Sequence, residues 1–378
     1  MIIKNAEIYG VDGVFRTGDL VIDGPMIGEN STDDLMISAE GLYAIPGLTD
    51  IHLHGAVGYD FCDGTPEAVH AIAGYLGKNG VTSFTPASMT YSEEILSGIF
   101  KNAKDFTSAE DEAMLMGINM EGPYIADAKR GAQNPAYIMP ADAGMFRRLN
   151  ELSGGKIRLV TLAPETEGAM DFIDAVKDEV VISIGHTEAD YDTASEAFER
   201  GARHVTHLFN AMPPFSHRAP GVVGAAADHE EVCVEMICDG IHLHPSVIRT
   251  AFKMYGPERI CLISDTMMAV GLEDGDYSLG GQDVTVKGKL ATLADGTIAG
   301  SATNLMDCMK TAISFGISLE DAVQAAAVTP AKVIGAFDRI GSLETGKLAN
   351  IVLLDRDLEL QYVFIQGKKV FDRKEQRS

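Results

Sequence analysis

The stretch DIHLHG, residues 50–55, sets two imidazoles one residue apart in an apolar run. Positions i and i+2 of a strand share a face, so His52 and His54 are either hydrogen-bonded core histidines or two ligands for one ion. Four further polar residues close apolar runs: Glu121 in GINMEGP, His186 in VISIGHT, His207 in HVTHLFN and Asp265 in ICLISD. Each is costly within an apolar strand unless paired or bound. Together they form a donor set for a divalent metal. Imidazole with carboxylate suits zinc first, with iron, manganese or cobalt as alternatives, and one or two ions fit the set. Hydrolysis is the natural chemistry, because such a metal lowers the pKa of water and polarises a carbonyl. A neighbouring carboxylate can take the proton and pass it to a leaving nitrogen, and Asp265 is best placed for that. Among the other histidines, His204 is expected to point away from His207, three residues on, and to be structural. His70 is expected on an exposed helix face and His229 in a loop.

Elements must carry these residues to one place. Strand-like runs fall near 49–54, 81–86, 114–121, 157–163, 180–186, 203–208, 232–238 and 260–265, with helical patterns in most of the gaps. In TPEAVHAIAGYLGKNG, Thr65 can cap, Pro66 suits the first turn, and Val69, Ile72, Ala73 and Leu76 make one stripe; Gly77 or Gly80 can end the helix. Eight strands with crossover helices predict an α/β fold, a (β/α)8 TIM-like barrel over 49–343. Such a barrel gathers catalytic groups at the C-terminal ends of its strands, where the six residues fall. A doubly wound open sheet is the alternative, but the sequence has no GxGxxG loop or P-loop. Residues 1–48 and 344–378 read as short strands and turns, which predicts a small β-sandwich built from both ends. A β-rich insertion is expected near 273–297, after the eighth strand.

Composition narrows the partners. A formal net charge of −25 argues against nucleic acid and anionic membranes, and an anionic substrate would need a local basic patch. Five cysteines without a CxxC fit reduced thiols in a cytoplasmic protein. No run of about 18 apolar residues reads as a membrane span, and the first ten residues do not read as a signal peptide.

The motifs DIHLHGAVGYDF, NMEGPY, GHTEA, GARHVTHLFNAMPPFSHRAPG, DGIHLHP, LISDTMMAVG and AGSATNL extend over essentially the whole chain. Together they resemble the amidohydrolases, and within them the branch that deacetylates N-acetylglucosamine 6-phosphate. The resemblance implies that Glu121, His186 and His207 hold the catalytic metal and that Asp265 is general base, then general acid. His52 and His54 would serve a second ion, with Glu121 bridging. Ala132 and Gln133 would contact the sugar, and Asn210 and Ala211 the phosphorylated end. Arg218 and His242 would clamp the phosphate, with Arg218 and His242 contributed across a homodimer interface. Ile298, Ala299 and Gly300 would wall the acetyl group. Gln133 stands where many members have His; Gln can hydrogen-bond a sugar but carries no proton. Alternatives are the N-acetylgalactosamine 6-phosphate epimer, an N-acetyl amino acid, a cyclic amide, or a scaffold with a decayed site.

Overall fold

The structure, a computed structural model, describes residues 1–30 and 35–375; residues 31–34 and 376–378, within the two terminal β segments, lie outside the described residues. Eight parallel strands carry the middle of the chain. We number them β1 (Leu48–Asp50), β2 (Val81–Phe84), β3 (Ile118–Glu121), β4 (Ile157–Leu162), β5 (Val181–Ile184), β6 (His204–Val205), β7 (Cys233–Ile237) and β8 (Ile260–Ile263). β3 to β8 pair in sequence order. β2 breaks at Thr85 and Pro86; its first half pairs with β1, and its continuation Ala87–Ser88 pairs with β3. The last seam, between β8 and β1, closes beyond the strand ends, where Asp265 N–H donates to the His52 carbonyl (2.9 Å) and His54 N–H to that of Thr266 (2.7 Å). The eight runs thus form the barrel that the spacing predicts, with helices between successive strands.

The helix Pro66–Lys78 forms as its sequence implies. Thr65 Oγ1 accepts from Ala68 N–H, Pro66 opens the first turn, and Val69, Ile72, Ala73 and Leu76 are buried. Gly80, at φ +82°, follows the end of the helix. Gly77 lies inside it, where a Cβ would crowd the Asp111 carbonyl at 3.1 Å and Ile365 Cδ1 of the terminal sheet at 3.2 Å.

The two chain ends meet in an eight-stranded sheet. Tyr43–Pro46 pairs with Ile2–Tyr9 on one side and Ile351–Leu354 on the other, so the C-terminal hairpins extend the N-terminal strands. Strand alternation splits the side chains between two cores. Ile351, Leu353 and Phe364 join Ile3, Leu20 and Ile22 in a small cluster. Val352, Leu354, Val363 and Ile365 join the barrel core with Ile72 and Leu76. Burying both faces anchors this sheet to the barrel. After β8, Gly275–Leu279, Gln282–Lys287 and Leu290–Thr292 form a three-stranded antiparallel sheet. Its apolar face packs on Met89, Ala132 and Met267 at the barrel mouth. Among the described residues no helix is long and apolar enough to cross a membrane.

Candidate metal centre

The six residues expected to do chemistry converge at the mouth. Two triads each bring three potential ligand atoms within 4.8 Å of one another: His52, His54 and Asp265; and Glu121, His186 and His207. Glu121 ends β3, but His186, His207 and Asp265 lie two residues beyond the ends of β5, β6 and β8. All three have left-handed backbone, with φ of +47°, +29° and +50°. Such conformations cost of order 1–3 kcal/mol each and are kept where the surroundings over-determine them. The surroundings here are tight: a Cβ on Gly185 would meet Thr206 Cβ at 2.6 Å, and one on Gly122 would overlap Thr90 Oγ1.

The hydrogen bonds fix the imidazoles for ligation. His186 Nδ1–H donates to the Lys129 carbonyl (2.8 Å) and His207 Nδ1–H to that of Asn210 (3.2 Å). In the neutral rings, each Nε2 then presents a lone pair. Those two nitrogens are 3.1 Å apart, and they lie 3.1 and 3.3 Å from Glu121 Oε1. Three electron-rich atoms facing one another without a proton between them are relieved by a cation. The neighbouring triad shows the same need. His52 Nδ1 faces the Glu235 carboxylate (2.9 Å), while His52 Nε2 is buried without a hydrogen-bond partner among the described residues. His54 Nε2 faces Asp265 Oδ1 at 3.2 Å and Glu121 Oε2 at 3.5 Å. Glu121 Oε1 thus faces His186, His207 and, at 3.4 Å, His52 Nε2, while Oε2 faces His54, so one carboxylate touches both triads. The residues fit a divalent metal.

Electrostatics agree. Burial opposes charging of His52, but the Glu235 and Glu121 carboxylates outweigh it and hold its pKa well above the ordinary value. Burial likewise opposes ionisation of Glu121, and the surrounding imidazoles overcome it, keeping Glu121 well below the usual carboxylate range. Asp265 is also lowered: burial works against this, and the His54 hydrogen bond and His52 charge prevail. A metal replaces the protons that would otherwise satisfy this acidic nest.

A cleft of about 530 Å³ opens over both triads. Ala132, Gln133, Asn210, Ala211, His242, Ile298 and Gly300 line it; Ala299 is fully buried behind the wall. Asp239 positions His242, accepting from its backbone N–H (2.9 Å) and its Nδ1–H (2.8 Å). Burial opposes charging of His242, but Asp239 raises its pKa above the ordinary value. Lys129 and Arg130 also line the cleft, together with Asp127 and Asp295; Arg130 is paired with Asp127 at 2.8 Å. The motif reading passed over both, although they stand in the same AKRGAQNP run as Gln133. Arg218 is not in the cleft. It is exposed and lines a separate surface groove with Asp190, Tyr191 and Asp192.

One reading of the sequence changes, and two residues gain contacts that it did not expect. His204 does not face away from the site. It points into the barrel beneath the metal centre, fully buried, with Nδ1 3.0 Å from Ser183 Oγ and 3.8 Å from Glu235 Oε1. Strand alternation stops at Val205, and the left-handed turn at His207 brings that ring inward as well. Gln133 faces the metal ligands. Thr90 N–H donates to its Oε1 (2.7 Å), which fixes the amide orientation, and its Nε2 donates to Glu121 Oε2 (2.8 Å). Glu235 was missed altogether. Its signal was a lone carboxylate in the apolar run VCVEMIC.

Comparisons with known proteins fit this geometry. The amidohydrolase family pattern matches residues 43–370. N-acetylglucosamine-6-phosphate deacetylase of Bacillus subtilis is 36% identical, over 99% of this chain and 98% of its own. N-acetylgalactosamine-6-phosphate deacetylase of Escherichia coli O157:H7 is 32% identical, over 85% of this chain and 86% of its own. A mutant N-acetyl-D-glucosamine-6-phosphate deacetylase from Mycobacterium smegmatis, solved in complex with N-acetyl-D-glucosamine-6-phosphate, superposes with a TM-score of 0.91 at 32% identity, covering 98% of this chain and 99% of that one.

Proposed function

The chain belongs to the amidohydrolase family, among the N-acetylglucosamine-6-phosphate deacetylases, and on that premise we propose that it hydrolyses N-acetylglucosamine 6-phosphate to glucosamine 6-phosphate and acetate. The observation that carries the reading is the convergence of Glu121 Oε1, His186 Nε2 and His207 Nε2 at the floor of a cleft large enough for a sugar phosphate. Glu121, His186 and His207 would hold a divalent cation, which would supply Lewis acidity to a water molecule and the acetyl carbonyl. The protein's own groups do the rest. Asp265 takes a proton from water as its oxygen attacks the acetyl carbon. It then returns that proton to the sugar nitrogen as the carbon–nitrogen bond breaks and acetate forms. His54, 3.2 Å from Asp265 Oδ1, holds the carboxylate in place.

Substrate contacts follow from the cleft. His242, whose Nδ1–H is held by Asp239 and whose pKa that carboxylate raises, is a donor for the phosphate, and Lys129 adds a positive charge at the cleft. Asn210 and Ala211 approach the phosphorylated end, Ala132 and Gln133 the sugar, and Ile298, Ala299 and Gly300 the acetyl side. Because Arg218 lies outside its own cleft, its role in phosphate binding requires a second copy of the chain, in a homodimer. His242 lines its own cleft, so a cross-subunit role for it would place it at the shared boundary. Zinc is the preferred ion from the mixed imidazole and carboxylate donors. A cytoplasmic setting suits the reduced cysteines.

The test is acetate release from the sugar with and without its 6-phosphate. A much lower kcat/KM without phosphate is expected; equal rates contradict the phosphate reading. The galactose epimer is the second reading, carried by the relative from Escherichia coli O157:H7. The ratio of kcat/KM for the two epimers decides between them.

A further inference from the structure

Below the triads, in the middle of β7, Glu235 is fully buried and faces the barrel interior. One of its oxygens does two things. Oε2 lies 2.9 Å from His52 Nδ1 and accepts the backbone N–H of His207 at 3.1 Å. His52 belongs to one triad and His207 to the other. Glu235 is therefore the atom-level link between them, and it comes from a strand that contributes no ligand to either.

The first bond decides what His52 can bind. A carboxylate on Nδ1 holds the proton there, locks the ring, and leaves the Nε2 lone pair aimed at the site. That Nε2 has no hydrogen-bond partner among the described residues. It is 3.4 Å from Glu121 Oε1 and 3.8 Å from Asp265 Oδ1. The second bond holds the backbone at the left-handed residue His207. No basic side chain shares this buried ground. The one buried Lys or Arg among the described residues, Lys347, sits over the Phe337 ring instead. Three carboxylates, Glu121, Glu235 and Asp265, thus lie around the imidazoles with no Lys or Arg among the described residues buried beside them.

We infer that Glu235 is a positioning residue: it holds His52 for the second ion that the His52 and His54 pair would serve, and it ties that site to the first through the His207 N–H. The inference rests on the proposed metal centre but not on the identity of the substrate. It divides two properties between two substitutions. In Glu235→Gln, the amide oxygen can accept both hydrogen bonds while the charge is gone. In Glu235→Ala, both bonds are lost.

The experiment is a cobalt(II) titration of metal-depleted full-length protein, followed by visible absorption and by equilibrium dialysis, with His52→Ala as the reference for loss of the second site. The wild type is expected to take two equivalents. Glu235→Gln should bind the second equivalent about 10- to 100-fold more weakly, with the first equivalent's spectrum and affinity unchanged. Glu235→Ala should weaken both, because it also releases His207. If the alanine variant does not fold, the glutamine variant decides alone. Wild-type affinity for both equivalents in Glu235→Gln overturns the inference, as does equal weakening of the two. A wild type that takes one equivalent overturns it too; full acetate release from that protein would leave the proposed deacetylation standing.

Discussion

The terminal sheet and the barrel mouth use the same strand alternation to opposite ends. In the sheet, alternation through Ile351–Leu354 and, past a bulge at Gln361, through Tyr362–Ile365 sorts apolar side chains between two cores. At the mouth, the strands stop early. His186, His207 and Asp265 follow in left-handed conformations, and the buried groups are imidazoles and carboxylates. One region gains stability from burial. The other holds unfavourable backbone and unsatisfied lone pairs in place, which is how a site is kept ready for a ligand. Variants in the two regions should therefore separate activity from stability.

The largest separation is expected from Asp265→Asn. Turnover should fall by roughly 10²- to 10⁴-fold, as for loss of an acid–base group, while the metal equivalent held by Glu121, His186 and His207 remains and Tm shifts by no more than about 3 °C. Near-normal turnover would remove Asp265 from the proposed mechanism. Phe364→Ala is the converse. Loss of a fully buried ring should cost about 3–5 kcal/mol in denaturant unfolding, with kcat/KM per folded molecule unchanged. An equal loss of activity would show that the sheet and the mouth are coupled. Gln133→Ala lies between the two regions in size of effect. Freeing Glu121 Oε2 should weaken metal binding about tenfold by equilibrium dialysis; an unchanged affinity with a raised KM would return Gln133 to a pure sugar contact. The smallest effect is expected from Thr65→Ala, which removes the cap of a barrel helix. About 1 kcal/mol of stability should be lost with catalysis intact.

The same contrast explains how much the sequence revealed. Barrel strands and the helix Pro66–Lys78 were legible because their apolar period is regular and their caps are local. The six metal-site residues were legible because each interrupts an apolar run at its end. His204 was misread because alternation was carried through a turn that breaks it. Glu235 was hidden because its partners, His52 and the His207 N–H, come from distant parts of the chain. The engagement of Gln133 with Glu121 and the position of Arg218 in a separate groove are tertiary facts with no local signature.

Anomalous scattering from crystals of catalytically active protein loaded with one divalent metal tests the central claim most directly. A peak within bonding distance of Glu121 Oε1, His186 Nε2 and His207 Nε2 is the predicted result. A fully active protein with no peak among those three atoms would contradict it.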